Sequence, residues 1–505
     1  MLTRRDAMLA LAAAAVAASD AFAAPARPVA GTAFSWEALQ ALATRLADQP
    51  WRARDAVAAA RLLDFDAVNR IGYRADKAIW RDQGDSEVRL FPLQMYAASP
   101  VDIAIVENGV ARRFAFTPDL FAIAPDAKHP KPALAPGFAG FRLMNADGCG
   151  DWLAFQGASY FRTAGVLGQY GLSARGLCIN TGIDGREEFP VFTRFWLERG
   201  PGTAMTVYAL LEGASVTGAF RFINSKTAAG PVQDVTMSIR LRRDVARLGI
   251  APLTSMFWYG EGNRSAAIDW RPEVHDSDGL ALHTGDGERL WRPLVNPPQP
   301  VTNSFVDTNP RGFGLLQRDR NFANYQDDGA FYDKRPNLWV EPKGNWQAGA
   351  VMLYEIPTRK EIEDNIVAFW VPKAPALRGN RYDLEYRLNW DGEDPVPAPI
   401  ARVVDCWTGT AGPPGHEPVA GARRLVADFA GRRLAGLGRD SGVTAEVSTN
   451  AGKLLASHAY PVVGAVDRWR LIVDLAKDSR GPGSLRAYLK RGTDALSETL
   501  LYDLY

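Results

Sequence analysis

The sequence predicts an all-β protein built of two β-sandwiches, with a few helices near its start. Three observations carry that expectation. From Ile103 onward the apolar pattern has the period of strands. Between Ala204 and Leu241, and again between Arg381 and Trp390, short β-branched and aromatic runs alternate with Gly, Pro and Asn. No alternation of strand and helix of the βαβ kind appears. Finally, 47% hydrophobic and 23% charged residues with 46 Gly and 33 Pro describe an ordinary globular chain, excluding disordered, collagenous and coiled-coil classes. At 505 residues the chain exceeds the roughly 250–300 residues at which single cores stop growing, so two domains are expected.

In chain order, Arg4 and Arg5 precede an Ala-rich apolar run, Met8 to Val16, and the small-x-small site Ala21-Phe22-Ala23. This reads as a signal peptide over residues 1–23, and the paired arginines before a weakly hydrophobic run point to the twin-arginine route and a periplasmic destination. Leu39, Leu42 and Leu46 fall at helical spacing between Phe34 and Ala47, and Arg54 to Asn69 repeats the pattern, so two helices are predicted. Ile103 to Val110 reads as a hairpin turning at Asn108-Gly109. The Pro-rich stretch Asp394 to Pro399, with Gly412 to Gly415 after it, places a boundary near residue 397. Beyond it, about a hundred residues of alternating strands suit a small immunoglobulin-like sandwich over 397–505.

Lys+Arg 58 against Asp+Glu 57 leaves a charge of +1, which gives no field to draw the chain to nucleic acid or an anionic membrane. Three cysteines, Cys149, Cys178 and Cys406, exclude a disulfide scaffold; a Cys149–Cys178 pair is open, and buried small hydrophobes are the simpler reading. There is no Gly-x-Ser-x-Gly elbow, Walker loop, dinucleotide fingerprint or His-Glu-x-x-His. The histidines are scattered without zinc spacing, and Asp276-Ser277-Asp278-Gly279 is half a calcium loop whose later ligands are missing. No cofactor and no metal are expected.

From Thr254 to Trp370 carboxylates are interleaved with Trp, Tyr and Arg. The acids include Glu261, Asp269, Glu273, Asp276, Asp278, Asp327, Asp333, Glu361, Glu363 and Asp364. Glycoside cleavage asks for that inventory: one carboxyl kept protonated for the leaving oxygen, one kept ionised to activate water, and aromatic plates against the sugar faces.

The chain resembles the periplasmic glucan biosynthesis proteins of the OpgG and OpgD (MdoG and MdoD) type over essentially the whole mature length. The resemblance rests on ordered blocks at Ala75–Arg81 (ADKAIWR), Gly157–Arg162 (GASYFR), Tyr170–Gly176 (YGLSARG), Glu188–Phe192 (EFPVF), Ser255–Glu261 (SMFWYGE), Asp269–Gly279 (DWRPEVHDSDG), Gly312–Arg320 (GFGLLQRDR), Asn337–Pro342 (NLWVEP) and Asp364–Trp370 (DNIVAFW). The twin-arginine signal resembles the D-type. The resemblance implies a large sandwich of the galactose-mutarotase kind over 24–396, and a role in osmoregulated periplasmic glucans with a β-1,2-linked backbone. It also implies anomer-inverting cleavage of that backbone, with Asp364 as general acid and Asp276 as general base.

An inverting pair needs carboxyls about 6.5–9.5 Å apart, and a more distant base must work through a relay, for which Glu361 and Tyr332 are candidates. Asp364 directly precedes the apolar run Ile366 to Trp370, so a partly desolvated, protonated carboxyl is expected. Asp276 and Asp278, two apart on an expected strand, would share a face, with Asp278 in support. Glu363 is expected to point elsewhere. Arg271, Tyr325, Tyr332, Arg335, Trp339 and Trp346 are the candidate substrate-binding residues. The partner expected is polymeric β-1,2-glucan, without nucleic acid or a membrane span; a homodimer and a link to the membrane glucan synthase stay open. Two alternatives stand beside hydrolysis: an inverting transglycosylase forming cyclic or modified glucan, and a non-catalytic glucan-binding protein that assists synthesis.

Overall fold

In the computed structural model the described residues are 31–83, 86–126, 131–183, 187–200, 204–395, 399–413, 415–476 and 483–504. The signal-peptide segment 1–23 and the boundary near 397 lie outside them. Strands dominate and the helices are few and short, which is the all-β, multi-sheet sandwich expected. The chain divides into two compact units, residues 1–252 with 370–390, and residues 253–369 with 391–505.

In the first unit, strands Val191–Arg199, Met205–Glu212, Val216–Lys226, Pro231–Leu241 and Arg381–Asn389 follow one another antiparallel, and Asp102–Glu107 joins Val191–Arg199 in parallel. A second sheet runs Val88–Pro92, Phe138–Met144, Asp151–Gln156, Tyr160–Thr163 and Ser173–Arg175. Alternation drives the inward residues of both sheets into one aromatic core. Phe155 meets Phe222 edge-on at 5.2 Å between centroids, and Phe141 meets Phe195 at 5.1 Å.

The first helix, Trp36–Ala47, starts where Ser35 accepts the Ala38 N–H, and it buries Leu39 and Ala43 against Leu210 and Ala219. The second expected helix is broken. Ala58–Leu62 is a 3₁₀ turn and Phe65–Asn69 a short helix, because Asp64 takes extended backbone and accepts the Ala67 N–H, starting a new helix where the old one would continue. The Asn108-Gly109 hairpin forms as expected, with φ of 51° and 72° at the two turn residues.

In the second unit, strands Leu338–Lys343, Gly312–Leu316, Gly279–His283 and Arg289–Pro293 are consecutive in one sheet. Thr499–Leu504 joins Arg289–Pro293 in parallel and leads on to Gly483–Arg491 and Val443–Thr449. A four-stranded sheet, Arg402–Thr410, Ala422–Ala430, Arg468–Ala476 and Lys453–Pro461, packs over the core formed by Trp291, Trp339, Phe429, Trp469, Leu489 and Leu500. Arg318 is buried in the same unit, its guanidinium 3.7 Å over the Trp291 ring and bonded to Glu498 at 2.5 Å.

All three cysteines are free. Cys178 and Cys406 are buried as expected of small hydrophobes, whereas Cys149 is exposed, held in a turn where its N–H donates to Asp147.

Candidate functional site

Every candidate site residue falls in the second unit, and all but Trp339, which lies in strand Leu338–Lys343, sit on the connections between strands. Strand Val274–His275 stops at His275, so Asp276 and Asp278 lie in the bend before Gly279–His283 instead of sharing a strand face. The two carboxylates are used differently. Asp278 Oδ2 accepts the backbone N–H groups of Arg318 and Asp319 at 2.9 and 2.8 Å, which fixes it as a loop-holding acid. Asp276 is 6% exposed, and its Oδ1 accepts no hydrogen bond among the described residues; the Arg335 Nε lies 3.4 Å from it.

Arg335 and Tyr332 come from one 3₁₀ turn, Tyr332–Lys334, entered through Phe331 in left-handed backbone at φ 48°. A bulky side chain in that region is strained, and the strain turns the chain sharply enough to bring both residues to Asp276. The Arg335 guanidinium lies 4.9 Å from the centroid of the Tyr332 ring. Burial, and then the Asp276 charge, push the Tyr332 hydroxyl well above its ordinary range. Glu361 adds to this, while Arg335 and Arg271 oppose it. The hydroxyl therefore sits within the fields of Asp276 and Glu361 together.

Arg271 is the hub on the other side. Its guanidinium contacts Asp269 at 2.6 Å, Asp327 at 2.9 Å and Glu361 at 2.5 Å. Burial by itself pushes the guanidinium down, but the three carboxylates outweigh it and lift it further. Tyr259 donates to Asp269 from behind at 2.9 Å. The expected sugar-binding arginine is thus engaged with protein carboxylates, and what it holds is the Glu361–Asp364 turn.

Asn365 anchors the far end of that turn. Its Oδ1 accepts the Phe257 N–H at 2.8 Å, and its Nδ2 donates to the Phe257 and Ile356 carbonyls at 2.9 Å each. Burial begins at Asn365, so Asp364, one residue earlier, is exposed rather than desolvated as expected. Glu363 takes the Thr358 hydroxyl at 3.1 Å and pairs with Lys360, within its own loop.

Tyr325 is fully buried and donates to the Asp319 carbonyl at 3.2 Å. Trp339 and Trp346 are each 4% exposed; Trp339 belongs to the core with Trp291 and borders a 220 Å³ cavity beside Arg318 and Arg402. The structure thus brings Asp276, Tyr332, Arg335, Glu361 and Arg271 together and leaves Tyr325, Trp339 and Trp346 as packing residues. In this segment a tryptophan does stand in solvent, Trp270 at 69%, next to Arg271.

Four further residues, His275, Glu273, Gln317 and Glu261, support the site from beneath. His275 is wholly buried, its Nε2 3.0 Å from Glu273 and its Nδ1 2.9 Å from Gln317 Oε1. It stacks on Phe257 and meets Tyr325 edge-on. Burial pushes the imidazole down, but the Glu273 carboxylate and the fields of Asp278 and Glu261 outweigh it and raise the pKa to about 9. Glu261 is moved well above the usual carboxylate range by burial and then by Glu273 and Asp278. Gln317 and Asn365 carried a readable signal: a single amide at the edge of an apolar run must find partners once buried.

The family model "Periplasmic glucan biosynthesis protein, MdoG" matches residues 34–504. Among curated relatives, the "Probable glucans biosynthesis protein D" of Shewanella oneidensis is 47% identical over 451 residues, covering 87% of this chain and 82% of the relative. "Glucans biosynthesis protein D 2" of Ralstonia nicotianae is 42% identical, covering 94% and 91%. "Glucans biosynthesis protein D" of Stenotrophomonas maltophilia is 44% identical, covering 93% and 89%. Among the described residues no helix is long and apolar enough to cross a membrane. With a family match of this extent, the chain belongs to the periplasmic glucan biosynthesis family MdoG, and its role lies in the synthesis of periplasmic glucan.

Proposed function

We propose that the chain is an exported, anomer-inverting enzyme that cleaves the β-1,2-glucan backbone, with Asp364 as general acid and Asp276 as general base. The observation that carries this reading is the Asp276 carboxylate: buried, charge-balanced by Arg335, and with an oxygen accepting no hydrogen bond among the described residues. Oxygen lone pairs left free in a buried carboxylate are what a base needs; Asp278 also keeps a free Oδ1, but its Oδ2 is committed to the Arg318 and Asp319 N–H groups and holds its loop, whereas Asp276 faces the Arg335 guanidinium. The Tyr332 hydroxyl lies within the fields of both Asp276 and Glu361 and would relay the proton from the attacking water. Asp364, exposed on an anchored turn, would be desolvated by the sugar it protonates, so its acidity is set when glucan covers it. Arg335 and Tyr332 would contact the sugar directly. The twin-arginine signal over 1–23 and the immunoglobulin-like region from 397 belong to the same reading.

The test is to incubate the mature protein and its Asp364→Asn form with linear β-1,2-glucan and follow products by chromatography with anomer detection. Shorter linear products from wild type alone, first appearing as the α-anomer, are expected. Cyclic or lengthened products would move the assignment to transglycosylation. Intact glucan that is nonetheless bound by both forms would overturn catalysis in favour of a glucan-holding role.

A further inference from the structure

The buried group that this mechanism does not use is His275, one residue before Asp276. Gln317 Nε2 donates to two backbone carbonyls, His275 O and Tyr332 O, at 3.0 Å each. Two acceptors on one side fix which end of the amide is nitrogen, so Oε1 is what faces His275 Nδ1, and Nδ1 must carry a hydrogen. On the opposite side Nε2 faces the Glu273 carboxylate. Both ring nitrogens meet acceptors, and the imidazolium is the form that satisfies both.

The consequence for the site is mechanical. Gln317 Nε2 ties the strand that ends at His275, one residue before Asp276, to the turn that presents Tyr332 and Arg335. The orientation of that amide depends on the Nδ1–H it accepts. Deprotonating Nδ1 would set a lone pair against Oε1; turning the amide to relieve this withdraws the N–H groups from both carbonyls.

We propose that His275, held between Glu273 and Gln317, is a positioning residue that sets Asp276 against Tyr332 and Arg335, so that the reaction depends on a charge buried behind the site. This rests on the hydrolytic reading above. The groups facing the ring or acting on it are Glu273 and Asp278 on its own segment, Glu261 from the 3₁₀ turn Glu261–Ala266, Gln317 and Asp319 from the segment that follows Gly312–Leu316, the face of Phe257 and the edge of Tyr325.

The experiment measures kcat and KM against pH on linear β-1,2-glucan for wild type, Glu273→Gln, Glu273→Asp and Gln317→Glu, with ¹⁵N-histidine spectra of the folded proteins. In wild type, kcat should fall with an alkaline limb near 9 while KM holds, and the His275 resonance should titrate on the same limb. Glu273→Gln removes the anion and should move the limb down by about one unit or more, with Glu273→Asp restoring part of the shift. Gln317→Glu can accept from Nδ1 but can donate to neither carbonyl, so kcat should drop about tenfold or more at every pH. A limb that stays in place in a folded Glu273→Gln protein, or a His275 resonance of neutral imidazole near pH 7, overturns the positioning role while hydrolysis stands. A wild type that leaves glucan intact overturns the hydrolytic reading, and the positioning role with it.

Discussion

Replacing Arg271 with Ala removes one guanidinium and strands three carboxylates at once. The Arg271 side chain is 12% exposed and that of Asp327 11%, whereas Asp269 and Glu361 retain 31% and 36%. Breaking a buried pair by deleting one partner costs about 3–5 kcal/mol, and an exposed pair contributes about 0–1 kcal/mol. Asp327 keeps the Gly329 and Ala330 N–H groups on its other oxygen, which places its share at the low end of the buried range. With small, screened losses at Asp269 and Glu361, the expected total is about 3 kcal/mol. The larger effect should be on rate. Glu361 loses its tether, and a displacement of the Glu361–Asp364 turn by about 1 Å is enough for a loss on the order of 100-fold. Urea unfolding measures the first quantity and glucan cleavage the second. Arg271→Lys should fall between, since a point ammonium cannot serve three carboxylates in a planar fork. If Arg271→Ala unfolds within about 1 kcal/mol of wild type and cleaves glucan at an unchanged rate, then the hub neither stabilises nor positions.

Because the folded pKa of His275 lies at about 9, above its unfolded value, its stabilisation is complete below an unfolded value of about 6.5 and is lost as pH rises through the folded one. That difference amounts to about 3 kcal/mol, which wild type should lose between pH 6 and 10, with the loss smaller by about 1.4 kcal/mol or more in Glu273→Gln, as unfolding midpoints against pH would show. Gly279→Ala would set a Cβ 2.1 Å from the Trp291 ring and should lower the melting temperature by the equivalent of about 3 kcal/mol or more. Arg292→Met leaves Glu355, fully buried, without its 2.9 Å partner and should destabilise by about 3–5 kcal/mol; adding Glu355→Leu should recover most of the loss in the same denaturation assay.

The sandwich class was legible because strand period is a local property, and the helix Trp36–Ala47 because Leu39, Leu42 and Leu46 repeat along one face. The break at Asp64 was not, since a capping side chain and a helical one are the same residue until its neighbours are placed. Asp276 and Asp364 could be singled out only through ordered family blocks. Their unequal settings follow from partners 59 residues apart in the chain, Asp276 with Arg335, and from an anchor, Asn365 to Phe257, that spans 108. Arg271 read as a sugar ligand because its neighbour Asp269 alone suggested nothing unusual; Asp327 and Glu361 arrive from 56 and 90 residues away. Trp339 and Trp346 show the converse, since an indole in a β-rich chain reads the same whether it floors a groove or fills a core.

Arg318 bears on how this architecture can change over time. Its backbone N–H holds Asp278 while its guanidinium is matched by Glu498 and Asp394, so a single residue joins the loop next to the candidate base to the C-terminal strands. Those strands are therefore not a cassette. Exchanging them for an unrelated sandwich would leave a desolvated cation without its Glu498 partner and would loosen the bend that carries Asp276, so the C-terminal strands and the candidate site are expected to vary in concert, inherited as one piece.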